Sequence, residues 1–122
     1  MGKRVPPGNV KLKRAYELPA PEDGSRILVD RLWPRGVSKE RAAINQWMKD
    51  IAPSTALRKW FGHDPDRWDE FRERYAKEVH KNHDLLEELR SLARNGPITL
   101  VYAAHDETHN DAVELRRLIL RD

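Results

Sequence analysis

The sequence predicts a small α/β domain, a sandwich with a short, partly parallel central sheet of about three strands flanked by about five helices. Two observations carry that expectation. The run Ile27–Val29 is continuously apolar and Ile98–Val101 is apolar but for Thr99, as in strands covered on both faces. Each is followed by a polar stretch and then by apolar residues at helical spacing, the order of a strand–helix unit.

The elements follow in chain order. Val10, Leu12 and Tyr16 alternate with Lys11 and Lys13, the pattern of a half-buried first strand whose direction the pattern leaves open. The prolines and Asp23-Gly24 of "ELPAPEDGS" mark a loop, and "RILVDRLW" reads as the second strand. Ser38 is a good N-cap, and Ala43, Trp47 and Ile51 at four-residue spacing predict a helix that Pro53 ends. Ser54 caps a short helix presenting Leu57, Trp60 and Phe61, and Gly62 stops it.

Asp64-Pro65 opens the next helix, with Trp68, Phe71, Tyr75 and Val79 facing inward and Glu70/Arg74 and Glu73/Lys77 pairing outside. Asp84 and Glu87 have capping-box spacing ahead of Leu85, Leu86, Leu89, Leu92 and Ala93. "ITLVYAA" is the last strand. "HDETHND" leads into a helix carrying Ala112, Leu115, Leu118 and Ile119, with Arg116, Arg117 and Arg121 toward its negative dipole end.

The 122 residues fit one domain over 1–122, preceded within it by a flexible basic arm over 1–9. The chain has no cysteine, which removes disulfides and thiolate catalysis and fits a reducing, cytoplasmic setting. Nothing resembles a signal peptide or a membrane span, so no membrane partner is expected. The net charge of +3 comes from 23 basic and 20 acidic residues. Lys3, Arg4, Lys11, Lys13 and Arg14 stand in the first fourteen residues without an acid. Such a segment either touches phosphates or is a solvated tail leading into an edge strand.

Parallel strands joined by crossover connections put their carboxyl ends on one edge, where open α/β sheets bind ligands. Those ends here are "DRLWPRG" and "YAAHDETHN". Asp30, at the end of an apolar strand, needs a partner: Arg35 curling back, backbone N–H groups, or a ligand. Arg31 and Arg35 have the fork geometry for an anion, and Trp33, fixed by Pro34, either stacks on a ring or closes over the core.

On the other strand end, His105 is the general acid/base candidate, with Tyr102, Asp106, His109 and Asn110 as ligand-contacting candidates. His105 and His109 have the spacing of two metal ligands if helical. Asp106 as helix N-cap would leave His105 outside the helix, and no metal or cofactor is indicated. His63, between Gly62 and Asp64, is either a member of the same cluster or an exposed loop histidine. No nucleophile motif is present.

The stretches "ILVDRLWPRGVSKE", "DIAPSTALRKWFGHDP", "WDEFRERY" and "GPITLVYAAHDETHNDA" resemble the YeaO-like group, part of a wider bacterial and archaeal family classed as a domain of unknown function. The match runs from about Val10 to Ile119. It implies one α/β domain and no established activity. More distant members of that wider family carry Asp-Val-Arg where Asp30 and Arg31 stand, and Cys-Ala-Glu and Cys-His-Arg segments near the last strand. Tyr102 and Asn110 fall opposite those cysteines, and Asp111 and Ala112 opposite the His and Arg. The resemblance therefore carries the Asp-Arg strand end to this chain, and leaves the thiol or metal chemistry of the distant relatives without its residues.

Three readings stay open at this point. One is a small protein, enzyme or not, that binds an anionic or nucleotide-like ligand, with Asp30 and His105 in catalytic roles and Arg31 and Arg35 holding negative charge. Another is a non-catalytic module for nucleic acid or a protein partner, built on the basic arm. In the third, the charged strand ends are internal braces. Tryptophans exposed on the short helices would favour a homodimer.

Overall fold

The computed structural model describes residues 4–121. Four strands form one sheet: β1 (Val10–Arg14), β2 (Ser25–Leu28), β3 (Gln46–Trp47) and β4 (Ile98–Tyr102). Their order is β1-β4-β2-β3, and every pair is parallel. The helices are α1 (Lys39–Ala42), α2 (Thr55–Phe61), α3 (Trp68–Lys81), α4 (His83–Asn95) and α5 (Asp111–Leu120). The expected α/β architecture is thus present, with one strand more than expected and the first strand parallel to the rest.

Strand alternation divides the sheet into two unlike faces. Val10, Ile27, Ile98, Leu100 and Tyr102 point to the face on which α2 to α5 pack, with Phe71, Tyr75, Leu89, Leu115 and Leu118 against them. The apolar stripe of α3 is as read, with Phe71, Tyr75 and Val79 buried and Trp68 half-buried; the outer Glu70–Arg74 pair also forms. The opposite face has a small cluster of Ala15, Leu28 and Val101 under Trp33, Ile44 and Trp47.

Beside that cluster lies a buried ionic network. The Asp23 carboxylate accepts from Arg26 at 2.7 Å and from Lys13 at 3.1 Å. Arg26 also donates to the Ala42 carbonyl at 3.0 Å, and Thr99 Oγ1 to the Asp23 carbonyl at 2.7 Å.

Four local expectations are corrected. The helix expected from Ser38 to Ile51 stops at Ala42, and the chain turns through a left-handed Ala43 (φ 49°). Tertiary bonds outweigh helical periodicity here: Arg26 takes the Ala42 carbonyl, and Asn45 exchanges two bonds with the Arg26 backbone, accepting on Oδ1 and donating from N. Trp47 therefore lies in the edge strand β3. The second strand ends at Leu28, so Asp30 to Trp33 lie in a bend beyond it.

The capping box at Asp84 does not form. α4 begins at His83 after Asn82, and Glu87 turns to Arg90 at 2.7 Å. Finally, the arm expected to be loose is docked from Val5 on: Val5 belongs to the core, and Asn9 donates to the Ala93 carbonyl at 2.7 Å. Lys3 lies outside the described residues.

Candidate functional site

The parallel order places the carboxyl ends of all four strands on one edge, with β2 and β4 adjacent. There the two polar strand ends bond directly. Asp30 Oδ2 accepts from the Ala103 N–H at 2.9 Å, and the Asp30 backbone carbonyl accepts from Trp47 Nε1 at 2.8 Å. The second oxygen-bearing group is Asp111, the first residue of α5, whose carboxyl is hydrogen-bonded to that of Asp30.

Asn110 sets this up by capping α5, its Oδ1 accepting from the Val113 N–H at 3.0 Å while its side-chain amide donates to the Asp106 carbonyl at 2.8 Å. A helix N-terminus favours a carboxylate, and Asp111 accepts from the Ala112 N–H.

Two carboxyls in contact cannot both ionise at ordinary pH. Burial pushes the Asp111 pKa well up, and the charge and hydrogen bond of Asp30 push it further. Burial also raises Asp30, against the pull of the Ala103 N–H, Asp111, His63 and Arg58. The pair titrates as a unit and keeps a proton where an ordinary aspartate has lost it. Tyr75 lies beneath, its hydroxyl donating to the Ile51 carbonyl at 2.6 Å. Its own pKa is raised well above the usual value by burial and then by the charges of Asp111 and Asp30.

Arg58, in the last turn of α2, and His63, just past its end, both act to lower the Asp30 pKa. Ser54 caps this helix, accepting from the Leu57 N–H at 3.2 Å. Glu78 of α3 holds the cap by accepting from the Ser54 N–H at 2.8 Å and its hydroxyl at 2.6 Å. Gly62 ends α2 in the left-handed region, as its sequence position predicted, and His63 follows at φ 56°. A non-glycine residue there costs about 1 kcal/mol, so packing must hold it. Arg58 and His63 are both exposed on the outer side of this turn.

The other sequence candidates fall elsewhere. Arg31 donates to the Ala52 and Pro53 carbonyls at 3.3 Å each and borders a cleft of about 620 Å³ with Asp50, Lys81 and His83. Arg35 is exposed and makes no hydrogen bond or ion pair among the described residues, so it does not curl back to Asp30. Trp33 is anchored by Nε1 to the Val37 carbonyl at 2.6 Å and packs edge-on against Trp47, a covering role. His105 is exposed and meets Arg14, whose guanidinium lies 3.4 Å from Nδ1 and donates to the Ala104 carbonyl at 2.8 Å. It makes no bond to Asp30.

Asp106 is not the helix cap. Its Oδ1 accepts from the backbone N–H groups of Thr108 at 2.9 Å and His109 at 3.0 Å, and its Oδ2 lies 2.9 Å from His109 Nδ1. These bonds, the Thr108 N–H first, hold the Asp106 carboxyl far below the usual range. His109 packs edge-on against Trp68 at 5.4 Å. With α5 starting at Asp111, His105 and His109 do not share a helical face, and the described residues hold no cluster of three metal-ligating side chains.

Tyr102 is buried, and its side chain is hydrogen-bonded to Asn110. Sequence reasoning missed Asp111 and Arg58. The signal for Asp111 was its place directly after Asn110, a stronger N-cap position than the one assigned to Asp106.

This is a parallel α/β domain whose strand-end edge brings the carboxyls of Asp30 and Asp111 into contact. Residues 9–122 match the profile of DUF488-N3i, described as the inactive DUF488-N3 subclade, and the chain belongs to that family. It is 42% identical over 107 residues to the uncharacterised protein YeaO of Escherichia coli K12, covering 88% of this chain and 93% of that one. An uncharacterised protein of Mycobacterium tuberculosis H37Rv and one of Mycobacterium bovis are each 42% identical over 110 residues, covering 90% of this chain and 92% of theirs. No solved structure matches the chain.

Proposed function

We propose that the protein is a small cytosolic module that binds an anionic, nucleotide-like ligand at the carboxyl edge of its sheet without transforming it. The observation that carries this reading is the contact of the Asp30 and Asp111 carboxyls beside Arg58 and His63. A carboxyl pair that shares a proton offers both an acceptor and a donor to the polar edge of a heterocycle. The Arg58 guanidinium, with the His63 ring as a further hydrogen-bonding group, suits an attached phosphate.

Three features support the non-catalytic half. There is no cysteine in the chain, both polar ends of the Asn110 side chain are already bonded within the protein, and the family is described as an inactive subclade. The alternative built on a free basic arm has less support. Lys11 donates to the Glu22 carbonyl, Lys13 to Asp23 and Arg14 to the end of β4. The case for a homodimer is likewise weakened, because all four tryptophans are half-buried.

Calorimetric titration with nucleoside monophosphates tests the reading. Guanosine monophosphate comes first, because a ring N–H donor and a carbonyl acceptor stand side by side on one edge of its base. Saturable binding is expected, weakened roughly tenfold or more by Asp111→Asn and by Arg58→Ala, with the ligand recovered unchanged. Absence of binding across the four nucleotides, or variants that bind as well as the parent chain, contradicts it. Turnover of the ligand would overturn the non-catalytic half.

A further inference from the structure

The inward residues of α5 are Ala112, Leu115, Leu118 and Ile119, all buried. Its next stripe, Val113, Arg116, Arg117 and Leu120, recurs at helical spacing and opens instead on a groove shared with α3. The groove has a volume of about 660 Å³. Its floor is apolar, with Leu12, Trp68, Val113 and Leu120 only half-buried. Its rim is arginine: Arg72 from α3, and Arg116, Arg117 and Arg121 from the α5 side.

The balance of charge in the groove is positive. Among the described residues, the one acid lining it, Glu114, is 1% exposed and already bound by Arg117 at 2.9 and 2.5 Å. Arg116 is fixed by neutral acceptors, the Val10 carbonyl at 2.7 Å and the Pro7 carbonyl at 3.0 Å, which orient its charge without cancelling it. Among the described residues Arg72 ion-pairs with the exposed Asp69, and its Nε is shielded from solvent without a hydrogen-bond partner.

We propose that this groove docks an acidic, apolar-faced helical segment of a protein partner. Apolar anchors on one face would meet the floor, and flanking carboxylates would meet the four guanidinium groups, the helix-in-groove mode with complementary rims. The shape of the floor favours a peptide over a nucleic acid. Trp68 is already engaged by Phe71, stacked at 5.6 Å, by His109 in a T-shaped contact at 5.4 Å, and by the Arg72 guanidinium 6.0 Å from its ring centroid. A base would compete with these contacts for the ring, whereas the aliphatic floor suits leucine-like side chains.

The test is an amide NMR titration of the full chain with three probes: a short amphipathic helical peptide of Leu and Glu, the same peptide with Lys for Glu, and a thymidine oligonucleotide. The Leu/Glu peptide is expected to shift Leu12, Val113, Leu120 and the Trp68 indole saturably, with an affinity that falls with salt. The double variant Arg72→Glu/Arg121→Glu should weaken it roughly tenfold or more. If that variant does not fold, Arg121→Glu alone, at an exposed position, serves the same comparison. No saturable shift, shifts outside the groove, insensitivity to the variants, or equal binding of the Lys peptide overturns the proposal. Tighter oligonucleotide binding to the same residues replaces it with a nucleic-acid surface.

Discussion

Asp23→Ala is expected to lower the free energy of unfolding by about 3–5 kcal/mol, the range for breaking a buried ion pair by removing one partner. The variant leaves the Arg26 guanidinium 3% exposed in a site with no counter-charge, and strands the Ala20 N–H that bonds Asp23 at 3.0 Å. Burial alone would raise the Asp23 pKa, but the Ala20 N–H, Lys13 and Arg26 together bring it below the ordinary value. A depressed carboxyl contributes stability that is complete above the unfolded-state pKa and is lost as pH falls through the folded one. Urea unfolding from neutral pH into the acid should therefore show the gap between parent and variant narrowing as pH drops. An equal stability of the two at neutral pH would show that Arg26 and Lys13 do not depend on this carboxylate.

Gly24→Ala is the second large effect, with a loss of about 3 kcal/mol or more. Gly24 has φ 63° and ψ −137°, a region that side-chain-bearing residues avoid. A Cβ there would also lie 2.1 Å from the Pro97 carbonyl oxygen. That carbonyl accepts from the Ser25 N–H at 3.2 Å, so backing away would break the first rung between β2 and the start of β4. Thermal unfolding should show a drop of ten degrees or so in a chain of this size. A variant that melts with the parent would mean that the close approach is readily relaxed.

Both of these lie at the amino-terminal side of the sheet, and the sequence showed only part of either. Asp23-Gly24 was legible as a turn, whereas the pairing of Asp23 with Lys13 of β1 depends on a sheet order that local patterns do not encode, and Arg26, three residues on, gives no local mark of turning back to it. The same contrast runs through the fold. Ser54, Gly62 and the stripe of α3 were readable because caps and periodicity are local. The helix expected from Ser38 was overridden by Arg26 and Asn45, bonds between segments 16 and 19 residues apart.

At the site, Asp30 was found from the cost of an acid at a buried strand end, and the meeting of the β2 and β4 ends from the parallel rule. Asp111 escaped because the helix start was placed too early, on Asp106. Arg58 escaped because an exposed arginine on a short helix has no local mark that sets it apart. His105 and Arg35 stood in the right segments, yet the geometry turns one to Arg14 and the other to solvent.

On the reading proposed above, the Asp30–Asp111 pair is kept for a ligand rather than for the fold. Asp111→Asn separates these two cases. The raised pKa of Asp111 means that the native chain binds more protons than the unfolded one, so its contribution to stability is present at low pH and is lost as pH rises through the folded-state pKa. An amide in its place keeps an acceptor for the Ala112 N–H and cannot ionise. Urea unfolding of parent and Asp111→Asn from acid to neutral pH is the direct measurement. The account predicts that the variant gains relative to the parent as pH rises and is at least as stable at neutral pH, by on the order of 1 kcal/mol, in line with the stability cost of functional groups. A variant that is clearly less stable than the parent at neutral pH would make the pair a structural brace and contradict the account.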